Sequence, residues 1–236
     1  MSQQTKGMIS IEPKTSGGQK IQGYLSEPAA GSGSGKSPAV IVIHEWWGLV
    51  QHIKNIADRY ASQGYLALAP DLYRGETATT SEEAMGLATG VSPQASASII
   101  EDAVLYLKEK GVEGRGIGIT GFCFGGTHSF NFVCESHDVA AGAIYYATRL
   151  PSDEKLEKIS VPLLLVYGDQ DRNVNPQQAR ELEGKLKRMG KRAELLEYRG
   201  CAHAFFNDES PSYKPDAARD AWDKTLRFFG QNLAHR

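Results

Sequence analysis

An α/β fold with a mostly parallel central sheet and helices on both faces is predicted by three observations. Short apolar runs rich in β-branched residues recur along the chain, stretches of helical length stand between them, and most runs are continuously apolar rather than alternating. Strand-helix alternation of this kind implies right-handed crossovers and parallel neighbours.

Taken in order, Lys20 to Ser26 alternates apolar and polar residues, as a half-buried antiparallel strand does. Ala29 to Ser37 contains Gly31-Ser-Gly-Ser-Gly35, a surface turn too short to link domains. Ala39-Val-Ile-Val-Ile-His44 is an unbroken apolar run and suits a central strand covered on both faces. A helix is then expected around His52 to Gln63, a strand at Leu66 to Ala69, a helix around Pro93 to Lys110 and a strand at Ile117 to Thr120. A helix begins at Phe124, followed by strands at Ala140 to Tyr146 and Pro162 to Tyr167. Helix Pro176 to Met189, strand Ala193 to Tyr198 and helix Pro215 to Phe229 complete the pattern. Arg74 to Pro93 breaks the rhythm; small, polar and glycine-containing, it reads as an excursion over the sheet edge that covers a pocket. With no internal repeat and no linker, residues 1–236 are expected to form one domain.

Composition removes several classes. Lys and Arg number 26 against 28 Asp and Glu, a net charge of −2 that argues against an electrostatic nucleic-acid binder. At 41% hydrophobic and 23% charged, the chain is neither disordered nor fibrous. No apolar run approaches the length of a membrane span. The polar start Met1-Ser-Gln-Gln-Thr lacks a secretory signal, which gives a cytoplasmic expectation. Three cysteines without a C-x-x-C pair leave neither a disulfide framework nor a zinc site, so cysteine roles rest on reactivity or packing.

The chemistry centres on Gly121-Phe-Cys123-Phe-Gly125-Gly126, placed between an apolar strand and an apolar helix. This is the setting of a nucleophile elbow, in which a sharp strand-turn-helix holds a strained nucleophile and leaves room only for glycine two residues to either side. Chance alone would give this four-residue pattern on the order of 0.004 times in such a chain. The competing reading is a small buried Cys123 with glycines that merely permit tight packing. Against it stands the order of the polar residues further along the chain. Asp171 lies just past an apolar strand in Gly168-Asp-Gln-Asp171, and His203 lies just past the next one in Gly200-Cys-Ala-His203. Nucleophile, acid, histidine is the order of the α/β-hydrolase fold. Asp169 is the rival acid, but a carboxylate so close to the strand end more often caps the turn. His52, His128, His137 and His235 have weaker contexts, for which helix surface or loop is expected. Cys134 is expected in the core.

In this fold the loop after the first strong parallel strand supplies one oxyanion-hole amide, which selects the N–H groups of Trp46 and Phe124. Glu45 stands beside them. A carboxylate at an apolar site near a thiol disfavours the thiolate and keeps the nucleophile neutral at rest; the alternative is a solvated loop charge.

Five motifs together resemble the dienelactone hydrolase (carboxymethylenebutenolidase) family, an α/β-hydrolase branch with a cysteine nucleophile: His44-Glu-Trp-Trp-Gly48, Ala69-Pro-Asp-Leu-Tyr-Arg-Gly75, Gly121-Phe-Cys-Phe-Gly-Gly126, Gly168-Asp-Gln-Asp171 and Ala202-His-Ala-Phe205. The resemblance covers nearly the whole chain. It implies a hydrolase of lactones or carboxylic esters with Cys123 as nucleophile, His203 as base, Asp171 as orienting acid and Glu45 as partner of the resting cysteine. It also implies that Tyr145 is a substrate-pocket tyrosine. The sequence departs from the family at the substrate clamp: where dienelactone-cleaving members carry an arginine after the histidine, Ala204, Phe205, Phe206 and Asn207 stand here. Arg74 or Arg149 is a substitute from another loop, with a surface guanidinium the competing reading of each. Phe205 with Phe206 suggests a more apolar pocket. No metal or organic cofactor, nucleic acid or membrane is expected, and a monomer is favoured. Three other readings stay open at this point: a general cysteine esterase, a non-catalytic ligand-binding protein on the same fold, and a thiol-redox protein pairing Cys123 with Cys201.

Overall fold

The computed structural model describes residues 5–18, 20–29, 37–112 and 115–234; the turn expected at Gly31 to Gly35 and His235 lie outside them. Eight strands form one sheet: β1 (Lys6–Ile11), β2 (Ile21–Ser26), β3 (Ala39–Ile43), β4 (Leu66–Pro70), β5 (Ile117–Phe122), β6 (Ala141–Tyr145), β7 (Leu163–Gly168) and β8 (Ala193–Tyr198). Their spatial order is β1-β2-β4-β3-β5-β6-β7-β8, and only the β1–β2 and β2–β4 pairings are antiparallel.

The helices are α1 (Gln51–Ser62), α2 (Ser81–Gly90), α3 (Pro93–Glu109), α4 (Phe124–Glu135), α5 (Asp153–Glu157), α6 (Pro176–Arg188) and α7 (Pro215–Asn232). From β3 the chain steps outward to β4, then returns past β3 to β5 and continues in that direction. Because parallel crossovers are right-handed, that reversal puts α1 on one face and α3 and α4 on the other. The C-terminal helix joins α1, where the Tyr60 ring lies 4.5 Å from Trp222 and 6.1 Å from Phe229. The reversal also leaves a crevice at the carboxyl ends of β3 and β5, where open α/β sheets collect their ligands.

The strands from β3 to β7 are buried along their whole length, as continuous apolar runs require. Helix α4 is buried nearly all round, because it runs under the β5–α4 turn between sheet and α3. Three elements have no counterpart in the pattern read from the sequence. Strand β1 is half exposed at the sheet edge and pairs only with β2, which its cover makes more buried than its alternating sequence predicts. The short α5 precedes β7. Within Arg74 to Pro93, expected as an irregular excursion, residues 81–90 are helical: Thr80 and Glu83 form a reciprocal capping box, a T-x-x-E signal present in the sequence.

Candidate active site

The β5–α4 junction is a sharp elbow. Cys123 has φ 54° and ψ −112°, a conformation that costs a non-glycine residue about 1–3 kcal/mol and persists only where neighbours enforce it. Its N–H donates to Tyr145 O at 3.1 Å and its carbonyl accepts from Thr127 N at 3.0 Å, so both sides of the turn are held. The glycines act as expected. A Cβ on Gly121 would run into the Gly125 carbonyl and Ser129 Oγ, and one on Gly125 into the carbonyls of Ile43 and His44. Gly126 has the same constraint, its Cβ falling 2.5 Å from Tyr145 O. The turn thus presents a partly exposed thiol over the first residue of α4. Neither Phe124 N–H nor Trp46 N–H donates to a protein acceptor among the described residues. Phe124 N–H is one of the orphan donors of a helix N-terminus, where the macrodipole adds positive potential.

The carboxyl end of β7 carries Asp171, 5% exposed. Its Oδ1 accepts from Asn173 N at 2.8 Å and Val174 N at 3.0 Å, which fixes the carboxylate and turns Oδ2 toward His203 Nδ1, 2.8 Å away. Asp169 instead accepts from Gly200 N at 2.6 Å and braces the loop after β8. That loop crosses closely over β7: a Cβ on Gly168 would strike the Cys201 carbonyl. The close crossing holds His203 over the elbow. His203 Nε2 is buried and lacks a hydrogen-bond partner among the described residues, yet the Cys123 thiol influences its titration. Burial works against the imidazolium, but the Asp171 hydrogen bond and then the thiol prevail and raise the His203 pKa to about 10.

The third loop follows β3. His44 is fully buried, with Nδ1 on Glu45 O at 2.6 Å and Nε2 accepting from Leu72 N at 3.1 Å. Burial, opposed by the Glu45 carbonyl and Asp71, lowers its pKa, so a neutral imidazole ties the β3 loop to the β4 loop. Glu45, 2% exposed, is no solvated loop charge. Its Oε2 accepts from Asn207 Nδ2 at 2.6 Å and its Oε1 from Tyr146 OH at 3.3 Å. Burial raises its pKa, while His52, Asn207, His203 and Tyr146 each pull it down.

Several sequence assignments need correction. Tyr145 is 0% exposed and its hydroxyl meets Thr225 Oγ1 at 2.7 Å and Ala221 O on α7, so it packs behind the sheet instead of lining a pocket. Its neighbour Tyr146 is the site tyrosine: its ring stands edge-on to His203 at 4.9 Å and its hydroxyl holds Glu45. Phe205 and Phe206 are also buried, the first against Tyr146 and Tyr198, the second against Phe122 and Tyr145. They support the site from below and do not make an apolar substrate pocket. Arg74 and Arg149 are exposed. His52 and His128 are buried, not on a surface: His52 Nδ1 meets Asp208 Oδ1 at 2.7 Å, and His128 Nδ1 meets Ser96 Oγ at 2.5 Å between α3 and α4. Burial, with His44 and Arg149, lowers the His128 pKa to about 4. Cys123, Cys134 and Cys201 are free thiols, and Cys201 Sγ faces Arg199 O at 3.7 Å. Sequence reasoning gave no place in the site to Tyr146, Asn207 or His52. The strand period of two was the available signal for Tyr146, since it must face away from Tyr145.

Among the described residues no helix is long and apolar enough to cross a membrane, and no three His, Cys, Asp or Glu side chains form a metal-binding group. Residues 21–233 match the family model described as the dienelactone hydrolase family. Protein usf of Aquifex pyrophilus is 35% identical over 227 residues, spanning 92% of this chain and 95% of its own. A protein of Aquifex aeolicus provisionally named carboxymethylenebutenolidase is 30% identical, spanning 90% and 94%. Among solved structures, a protein of Klebsiella pneumoniae provisionally named dienelactone hydrolase superposes with a TM-score of 0.88 at 24% identity, covering 98% of this chain and all of the other. Esterase 2 of Thermogutta terrifontis superposes with a TM-score of 0.73 at 18% identity, covering 98% and 96%. These superpositions establish the α/β-hydrolase fold.

Proposed function

The chain belongs to the dienelactone hydrolase family and is a hydrolase, and from that premise we propose that it cleaves a lactone or carboxylic ester through a Cys123 acyl-enzyme, as a single α/β-hydrolase domain. The observation that carries this reading is the convergence of three loops: the strained Cys123 elbow, the His203–Asp171 pair above it, and the unengaged Phe124 and Trp46 amides beside it. His203 Nε2 takes the thiol proton as the Cys123 sulfur attacks the carbonyl carbon, and the former carbonyl oxygen takes the negative charge between the two amides. The adduct collapses as the C–O bond breaks, and protonated His203 gives its Nε2 proton to the leaving alkoxide. In a lactone that alcohol stays attached at the far end of the acyl group. Water then gives a proton to His203 and attacks the thioester, and expulsion of the thiolate leaves the acid. Asp171 holds the histidine tautomer and stabilises its cation.

Glu45, a buried carboxyl held by Asn207 and Tyr146, is assigned the role of disfavouring the Cys123 thiolate at rest by like charge. The arginine clamp of dienelactone-cleaving relatives has no replacement among the buried residues around His203. Asn207 turns to Glu45, and Arg74 sits on the surface. That supports an uncharged ester or lactone in preference to one bearing a carboxylate. The test is kcat/KM for a dienelactone and for an aryl acetate side by side, with Cys123→Ala as blank, and mass spectrometry of quenched enzyme. Turnover that vanishes in the variant, with one acyl group on Cys123, is expected. Equal turnover in Cys123→Ala overturns the mechanism, and a strong preference for the dienelactone overturns the uncharged-substrate assignment.

A further inference from the structure

We propose that the Tyr73 hydroxyl is a catalytic group of this site, a side-chain donor to the negative oxygen of the tetrahedral adduct alongside the Phe124 and Trp46 amides. The proposal rests on the acyl-transfer reading of the site. Tyr73 belongs to the loop after β4 and is 4% exposed. Its ring stands between the two loops that supply those amides: edge-on to His44 at 4.7 Å, and 5.4 Å from Phe124. The backbone around it is fixed on both sides. Leu72 N donates to His44 Nε2, Tyr73 N donates to Asp71 Oδ1 at 2.9 Å, and Gly75 N donates to Asp71 Oδ2 at 2.6 Å.

At the end of this clamped ring the phenol oxygen is buried with no hydrogen-bond partner among the described residues. A buried polar group left unpaired destabilises the fold unless something else satisfies it, and a preorganised donor awaiting charge is one reason to retain it. The hydroxyl is electrostatically coupled to Cys123; burial first, then the thiol and Asp71, raise its pKa and keep the proton on oxygen. The other hydroxyls nearby are explained otherwise. Tyr146 donates to Glu45, and the unpaired Ser129 Oγ lies beneath Gly121, on the inner side of the elbow.

Tyr73→Phe removes one oxygen and keeps the ring contacts. The expected result has four parts: an unfolding temperature equal to or above that of the unsubstituted protein, kcat for an aryl acetate about 100- to 1,000-fold lower, KM within about twofold, and weaker inhibition by a trifluoromethyl ketone in proportion to kcat. That ketone adds the Cys123 thiolate to give an anionic hemithioketal oxygen, whereas alkylation of Cys123 by iodoacetamide builds no oxyanion and should keep its rate. Unchanged kcat and inhibition overturn the proposal. An alkylation rate that falls with kcat also overturns it, because the hydroxyl then acts on the sulfur. Absence of any Cys123-dependent turnover in the unsubstituted chain overturns the acyl-transfer reading and this proposal together; full turnover in Tyr73→Phe overturns this proposal alone.

Discussion

His203 donates from Nδ1 to Asp171 Oδ2 at 2.8 Å, while the other oxygen of the same carboxylate is held by the amides of Asn173 and Val174. The carboxylate cannot rotate away from the imidazole without losing two backbone hydrogen bonds. Asp171→Asn should keep those bonds through its amide oxygen and turn an NH2 toward His203, forcing the wrong tautomer. Steady-state turnover should fall about a thousandfold or more with the fold intact by circular dichroism. Asp169→Asn should lose far less, because that side chain braces Gly200 and does not reach the imidazole. The reverse ranking would transfer the acid role to Asp169.

The same pair makes stability depend on pH. The folded pKa of His203, about 10, lies above the ordinary 6.5, so the imidazolium is favoured in the native state. A raised value means the stabilisation is complete below about 6.5 and is lost as pH rises through about 10. Thermal unfolding followed across that window should show a steeper loss in the unsubstituted protein than in His203→Gln. Parallel curves would mean that the imidazole gains nothing from Asp171 and Cys123.

Glu45 is buried and held by Asn207 and Tyr146, and the charges of His52 and His203 oppose the rise that burial gives its pKa. Replacing it by glutamine removes a negative charge beside the nucleophile's imidazole while retaining an acceptor for Asn207. Iodoacetamide should then alkylate Cys123 several-fold faster near neutral pH, as removal of a carboxylate that disfavours the thiolate requires. An unchanged or slower rate would leave Glu45 as a scaffold for the 207 loop only.

Gly168 sits directly under the Cys201 carbonyl, with no room for a methyl group. Gly168→Ala must push the His203 loop away from the elbow, so it should destabilise by about 1–3 kcal/mol and lower kcat more than KM rises. Gly86, on α2 with nothing within 4 Å of an added Cβ, is the matched control. Its alanine variant should gain about 0.5–1 kcal/mol and leave activity untouched. Chemical denaturation and steady-state kinetics on both variants separate strain from a general intolerance of alanine.

Strands β3 to β7 were legible because they are fully covered and read as unbroken apolar runs, and α1 and α6 because they carry apolar residues at helical spacing. Strand β1 was not, since its burial comes from pairing with β2 and leaves a half-polar edge. Helix α2 was hidden in a polar segment, with its capping box the one local signal. In the site, Cys123, Asp171 and His203 announce themselves through glycine placement and position after strands. Tyr145 and Tyr146 are adjacent in sequence and opposite in space, and Phe205 and Phe206 face inward. The strand period records that Tyr145 and Tyr146 face opposite ways, but which of them meets His203 is decided by packing against α7, which no local pattern records.

The sequence by itself determined the strand-helix rhythm, the elbow, and the placement of Asp171 and His203 just past apolar strands, because each of these is a short local pattern. Only the tertiary structure decided which groups meet across it. Glu45 lies between Asn207 and Tyr146, buried His52 meets the exposed Asp208, and the Tyr73 ring packs against His44 and Phe124. These pairings join loops that are distant in sequence. They exist because parallel pairing from β4 to β8 brings the carboxyl ends of these strands to one end of the sheet, where the reversal of strand order at β3 and β5 parts the loops.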